Sequence, residues 1–236
     1  MQRYAGEELE LFAKAQNWKA YLSKELAPFL RGAVLEVGAG IGATAAALCD
    51  GSPTSWLCLE PDPALAAAIE AKLAARALPP CCRVAVGTLA DLPASDRFDT
   101  IVYVDVLEHI EGDAAELALA AARLRPGGSL IVLAPAHPAL YSPFDAAVGH
   151  FRRYTKRSLT NVVPRHLGLV RLRYLDAAGL LASAANRAIL RRAVPSGRDL
   201  QFWDRVLVPV SRVIDPLLGH HVGRSLLGVW CAPGSG

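Results

Sequence analysis

Three glycines, at 38, 40 and 42, separate a short apolar run, Ala33–Val37, from an alanine-rich stretch over 43–49. No other feature narrows the fold as much. An apolar run stopped by glycine suits a buried strand, and alanine favours helix. So few residues between them leave room only for a tight strand-to-helix turn, in which glycines let backbone N–H groups and a helix N-terminus approach a ligand. The same rhythm repeats downstream. Residues 56–59, 83–86, 98–105 and 129–134 read as strands, and 64–77 and 113–124 as helices. Pro63 suits a first helical turn, and Arg125-Pro-Gly-Gly128 reads as a turn before the strand at 129. Strands alternating with helices across short connections predict an α/β fold: a doubly wound, mostly parallel sheet with helices on both faces.

Beyond Pro135 the rhythm loosens. Residues 137–154 read as a loop, 156–167 as a helix, 170–175 as a strand and 225–231 as a last strand, while 177–222 hold amphipathic pieces broken by Pro195, Pro209 and Pro216. Upstream, Leu9, Phe12, Trp18, Tyr21, Leu22 and Leu26 recur every three or four residues often enough to predict one helix over 7–30, with Pro28 near its end. No internal repeat or linker stands out. The expected organisation is one domain over 1–236: a helical lid over 1–32, a cofactor-binding core over 33–135, and a substrate-side part over 136–236 with an insertion before the last strand.

Composition excludes several classes. With 53% hydrophobic and 20% charged residues, the 236-residue chain is globular rather than disordered. No apolar run approaches the roughly 18 residues that cross a bilayer. The N-terminus soon turns acidic, unlike a signal peptide, so the expected compartment is the cytoplasm. Five cysteines, an odd number without a Cys-x-x-Cys pair, argue against a disulfide framework and a zinc site, and no metal is expected. Charge is uneven. Residues 1–136 carry 11 Lys/Arg against 17 Asp/Glu, and residues 137–236 carry 14 against 5, balances of −6 and +9. A basic C-terminal part suits an anionic acceptor or an anionic membrane surface.

Glu60 ends the second strand about 20 residues after the glycines, where a carboxylate can accept hydrogen bonds from both hydroxyls of a ribose. This pairing, with Gly38-x-Gly40-x-x-Ala43, also fits a dinucleotide fingerprint. Glu36 weighs against that reading: inside the first strand, just before the loop, it would repel a pyrophosphate and attract a sulfonium or amino group. Asp105, at the carboxyl end of the fourth strand, lies where open α/β sheets bind ligands.

Beyond the residues themselves, the chain resembles class I S-adenosylmethionine-dependent methyltransferases of the small-molecule type. The matching segments are Val34-Leu-Glu-Val-Gly-Ala-Gly-Ile-Gly42, Leu59-Glu-Pro-Asp62, Gly87-Thr-Leu-Ala-Asp-Leu-Pro93, Phe98-Asp-Thr-Ile, Leu107-Glu-His-Ile110 and Leu124-Arg-Pro-Gly-Gly128. The resemblance implies a Rossmann-like sheet of seven strands, the last antiparallel, and S-adenosyl-L-methionine as cofactor. At matching positions it implies that Gly38, Ala39, Gly40 and Glu36 surround the methionine part, that Glu60 holds the ribose, that Asp62 and Leu89 lie near the adenine, and that Asp105 flanks the methionine part. Thr88 stands where many such enzymes carry Asp, which weakens the expected hydrogen bond to the adenine amino group.

Methyl transfer from a sulfonium is an in-line displacement, helped by a base when the acceptor must lose a proton. The segment from His137 to Tyr154 supplies candidates: His137 or His150 as base, and Tyr141, Arg152, Arg153 and Tyr154 as acceptor contacts, the arginines toward phosphate or carboxylate. Its Gly149-His-Phe-Arg-Arg-Tyr154 also resembles a bacterial subgroup with a Gly-His-x-Arg-Arg-Tyr segment. Trp18 and Tyr21 are candidate lid residues against the acceptor. His109 is a weaker base candidate, expected to fix a helix start, and His220-His221 are expected to be structural. Residues 202–218, apolar with Arg205 and Arg212, suit either packing over the site or a membrane surface.

The expected function is methyl transfer to an oxygen or nitrogen of a small, anionic or lipid- or sugar-linked acceptor. The alternatives are a cofactor-binding regulator or partner subunit without turnover, and an NAD-dependent oxidoreductase, for which no Tyr-x-x-x-Lys pair is present. No Asn/Asp-Pro-Pro-Tyr/Phe segment points to nucleic acid. Neither the oligomeric state nor the acceptor is specified.

Overall fold

The computed structural model describes residues 4–185 and 197–234. Seven strands form one sheet: β1 (Ala33–Val37), β2 (Ser55–Glu60), β3 (Cys82–Val86), β4 (Phe98–Val104), β5 (Leu124–Pro135), β6 (Gly168–Leu175) and β7 (Ser225–Cys231). Their order is β3-β2-β1-β4-β5-β7-β6. The pairs among β1 to β5 are parallel, and β7 runs antiparallel to both β5 and β6. Chain order reverses between β1 and β4, so the switch-point crevice opens beyond the carboxyl ends of these two strands.

The helices are α1 (Tyr4–Ala13), α2 (Gln16–Leu26), α3 (Ala43–Leu48), α4 (Pro63–Ala74), α5 (Asp113–Ala122), α6 (Pro143–Ala147), α7 (Lys156–Val162), α8 (Ala177–Ala185), α9 (Gly197–Phe202) and α10 (Val208–Leu217), with a π-helical turn at Trp203–Leu207 joining the last two. Two clusters of buried side chains cover the two sheet faces. Trp18, Leu26, Leu48, Ile69, Trp203 and Val208 belong to one. Leu117, Leu124, Tyr154, Leu159 and Trp230 belong to the other. Strands buried on both faces read as continuous apolar runs, which is why they stood out in the sequence.

Three local expectations change. The helix predicted over 7–30 is two helices, because Ala15 leaves helical geometry (ψ 77°) and is buried. Asp204, from the far end of the chain, accepts from the N–H groups of Asn17 and Trp18 at 3.3 and 2.9 Å and so caps α2. Arg125–Gly128 is not a turn ahead of β5 but a bulged stretch within it: the register against β4 shifts between Phe98 and Thr100, and Gly127 takes φ 73°. Third, α7 stops at Val162, since Val163, before Pro164, is extended (ψ 136°). The predicted loop 137–154 carries α6, whose start is capped by Ser142 and Asp145. Pro209 lies in the first turn of α10 and Pro216 in its last; Pro195 lies outside the described residues.

Candidate active site

The glycine loop leaves β1 and turns beneath the end of β2. Gly38 and Ala39 donate to the carbonyl of Leu59 at 2.8 and 3.1 Å. Gly38 has φ 67°, and a Cβ there would lie 2.7 Å from a methyl carbon of Val106, which follows β4. Both the backbone and the packing therefore require glycine. At Gly40 (φ 56°) the nearest atom to such a Cβ is a Leu9 methyl at 3.5 Å, so the bend stays open there.

Glu60 is tied to this loop. One carboxylate oxygen accepts from Gly40 N–H at 2.7 Å and the other from Asp62 N–H at 3.0 Å. Burial raises its pKa, and the two backbone donors oppose the rise. The carboxylate thus points at the loop with lone pairs to spare for two ribose hydroxyls. Asp62 caps α4 through Ala64 N–H at 2.8 Å. Thr88 is occupied in a local cap, its hydroxyl donating to Asp91 at 2.7 Å, and Leu89 beside it is fully buried.

Glu36 is buried one strand over. It accepts from Trp56 Nε1 at 2.8 Å. Burial pushes its pKa up to about 7; hydrogen bonds from Trp56, Cys58 and Thr44 pull against this, and the charge of Glu60 adds to it. Neither Trp56 nor Cys58 stood out in the sequence, because their side chains meet Glu36 across strands.

On the other side of the crevice, Asp105 follows β4 in a left-handed conformation (φ 53°), its N–H bonded to the carbonyl of Leu133 at 2.9 Å. Its side chain is open to solvent but sits deep within the protein mass. That surrounding raises its pKa to about 6, while Arg224 and His150 hold it lower. The turn Leu107–His109 then buries Glu108 completely, with no hydrogen-bond partner for either carboxylate oxygen among the described residues. Burial lifts Glu108 well above the ordinary range, and Asp105 adds to the effect. The surrounding protein and His150 depress His109 to about 4.

The segment after β5 is braced by Asp145, which is fully buried. Burial alone would raise its pKa, but His150, Arg153 and Ser142 together hold it well below the carboxylate range. Arg153 donates Nε and Nη2 to it at 2.8 and 2.9 Å, and His150 Nδ1 lies 2.9 Å away. Arg152 pairs with Asp113 at 2.6 Å, and the buried Tyr154 hydroxyl donates to the same carboxylate at 2.8 Å. The Tyr141 hydroxyl donates to the His150 carbonyl at 2.6 Å. His137 Nε2 lies 2.9 Å from the Gly223 carbonyl, and its ring stacks on Tyr174. Trp18 and Tyr21 are buried in the core: Trp18 packs on Trp203, and the Tyr21 hydroxyl donates to Asp215 at 2.8 Å.

The fold thus gathers Glu36, Gly38, Ala39, Gly40 and Glu60 at one lip of the crevice, and Asp105 with His150 across from them. Arg224 was not singled out in the sequence. It precedes β7, lies over the Trp203 ring at 4.9 Å and holds down the pKa of Asp105. A lone arginine before a strand carries no sequence signal.

Residues 35–130, about two-fifths of the chain, match the family model of a methyltransferase domain. No curated protein sequence matches the chain. Among solved structures, the fold resembles N-methyltransferase NodS from Bradyrhizobium japonicum WM9, in complex with S-adenosyl-L-homocysteine (TM-score 0.56, 16% identity, covering 90% of this chain and 86% of that one). It also resembles an S-adenosylmethionine-dependent methyltransferase from Clostridium acetobutylicum ATCC 824 (TM-score 0.58, 11% identity, 94% and 93%). A third is the [4+2]-cyclase SpnF (TM-score 0.61, 16% identity, 91% and 80%). The match puts a methyltransferase domain over residues 35–130, and the Rossmann-like sheet is the fold shared with these structures. Glu60, fastened to the glycine loop, keeps lone pairs free beside Gly40.

Proposed function

We propose that this enzyme transfers a methyl group to an oxygen or nitrogen of a small acceptor bearing a phosphate or carboxylate. One observation carries the reading. His150 is fixed through Nδ1, 2.9 Å from the buried Asp145, while its Nε2 is out of hydrogen-bond reach of Glu108 at 3.9 Å. An ionised carboxylate on Nδ1 holds the proton there and leaves Nε2 as the basic nitrogen. His137 is the weaker base, because its Nε2 is already engaged by Gly223.

The bound cofactor supplies an activated methyl group. The chain's residues hold and align the reactants: Glu60 the ribose, the Gly38–Gly40 bend the methionine part, with Glu36 and Asp105 as nearby carboxylates. His150 takes the acceptor proton. Arg152 and Arg153 are already paired with Asp113 and Asp145, so Arg224 is the cation that faces an anionic group on the acceptor. A panel of hydroxyl- and amine-bearing phosphates and carboxylates, read by S-adenosylhomocysteine release, tests this. His150→Ala should lower kcat roughly 100-fold or more on the accepted substrate, and His137→Ala far less. Cofactor binding without S-adenosylhomocysteine release from any acceptor would favour the second reading, that the fold serves another chemistry, as the likeness to SpnF allows.

We further propose that the acceptor is met at an anionic lipid surface. Phe202, Val206, Val210, Val213 and Leu217 recur every three or four residues along α9 to α10, and are 45–80% exposed. Trp203, Asp204, Val208, Ser211 and Asp215 form the opposite, buried side. Arg205 and Arg212 lie in the same helices, within the basic part of the chain. Such a face suits the boundary between lipid headgroups and acyl chains. Among the described residues no helix is long and apolar enough to cross a membrane. The protein should sediment with phosphatidylglycerol vesicles and much less with phosphatidylcholine. Val213→Glu with Leu217→Glu should abolish this while leaving S-adenosylhomocysteine binding intact. Equal recovery with both lipids, or none with either, overturns the lipid reading.

A further inference from the structure

We propose that Glu108, His109 and His150 form a site for a divalent transition-metal cation beside the crevice. Glu108 is fully buried, and neither of its oxygens has a hydrogen-bond partner among the described residues. Burial keeps such a carboxyl protonated unless a positive charge meets it, and a bound cation would displace that proton. The two imidazoles stand where such a charge would be shared. One ligand atom from each of the three residues lies within 4.8 Å of the others. His150 Nε2 is 3.9 Å from Glu108 Oε1, and the two histidine rings stand edge to face with centroids 4.6 Å apart. Bonds of about 2.0–2.2 Å would bring the ligand atoms to roughly 3.3–3.6 Å from one another, a closure that side-chain torsions can supply.

The surroundings are those of a histidine ligand. Asp145 holds His150 Nδ1 at 2.9 Å and is itself fixed by Arg153 and Ser142. A carboxylate behind a histidine sets its tautomer, aims its other nitrogen and raises its basicity toward a cation. Two imidazoles with one carboxylate suit first-row ions such as zinc or manganese and leave coordination positions open. The open positions would take acceptor oxygens. That role rests on the methyl-transfer reading above, whereas cation binding does not. In the cation-free protein His150 Nε2 is the base of that reading; with the cation bound it is a ligand, and the positive charge assists loss of the acceptor's proton instead.

Cys49, Cys81 and Cys82 form a second group within reach of a common ion, so the test removes it. The full chain carrying Cys81→Ser is stripped with chelator, dialysed against zinc or manganese, and its metal content measured. One equivalent should bind. His150→Ala and His109→Ala should each weaken binding at least 10-fold, and Asp145→Asn, behind the ligands, about 10- to 100-fold. Calorimetry with S-adenosylhomocysteine on the same samples reports folding. Variants that bind S-adenosylhomocysteine normally but retain the cation with unchanged affinity overturn the site, as does a parent protein that binds none. A bound cation with no turnover on any acceptor leaves the site standing and overturns the methyl-transfer reading instead.

Discussion

At the scale of single residues, Glu60 and Glu36 are the two carboxylates proposed to meet one cationic ligand. Glu60 accepts from the loop and from Asp62, and its remaining lone pairs are the ones proposed for the ribose. Glu60→Ala removes those acceptors and orphans Gly40 N–H, so S-adenosylhomocysteine affinity should fall roughly 100-fold by calorimetry. Affinity within threefold of the parent would place the ribose elsewhere. Glu36 is a pH probe. Its folded pKa of about 7 lies above its ordinary 4.5, so the folded protein holds the extra proton between those values. Stability of the free protein should therefore fall as pH rises from 4.5 to 7 and level off above it. The loss is on the order of 3 kcal/mol, since each pH unit across that window is worth about 1.4 kcal/mol. Glu36→Gln should flatten that part of the urea-denaturation profile. If Glu36 also faces the sulfonium, S-adenosylmethionine should bind more tightly as pH rises through 7, with release of a proton.

At the scale of elements, the C-terminal helices are held on by buried carboxylates. Asp215 accepts from Tyr21 Oη, Asp176 N–H and Ala177 N–H, joining α10 to α2 and to the start of α8. Asp176 accepts from Trp203 Nε1 and Ser211 Oγ at 2.7 Å each. Asp215→Ala should cost roughly 3–5 kcal/mol by leaving several buried donors unpaired, whereas Tyr21→Phe should cost about 1 kcal/mol. Equal, small shifts in the urea midpoint would mean that these contacts are not what fastens α10. None of this was legible beforehand: Asp176, Asp204 and Asp215 were not singled out, and Tyr21 and Trp18 read as a lid, because Asp215 and Asp204, which they meet, lie more than 150 residues away in the chain.

At the scale of the whole molecule, a ligand held as proposed would bridge residues on or just beyond β1, β2 and β4, and should stabilise the fold as a unit. At 100 times its Kd, S-adenosylhomocysteine should contribute about 2.7 kcal/mol, a rise in Tm of roughly 5–10 °C for a chain of this size. The Glu60→Ala variant at the same ligand concentration should show little of it. The parallel sheet, the glycine bend and Glu60 at the end of β2 were readable from sequence because each is a local matter. A strand buried on both faces writes an apolar run, a side-chain-free bend writes glycine, and a strand of known length puts its last residue at the crevice. The partners of Glu36, the pairing of Arg152 and Arg153 with acids, the isolation of Glu108 and the approach of Arg224 to Asp105 came only from the tertiary structure. Each depends on which side chains distant segments bring within about 3 to 5 Å, a distance that carries no period along the chain.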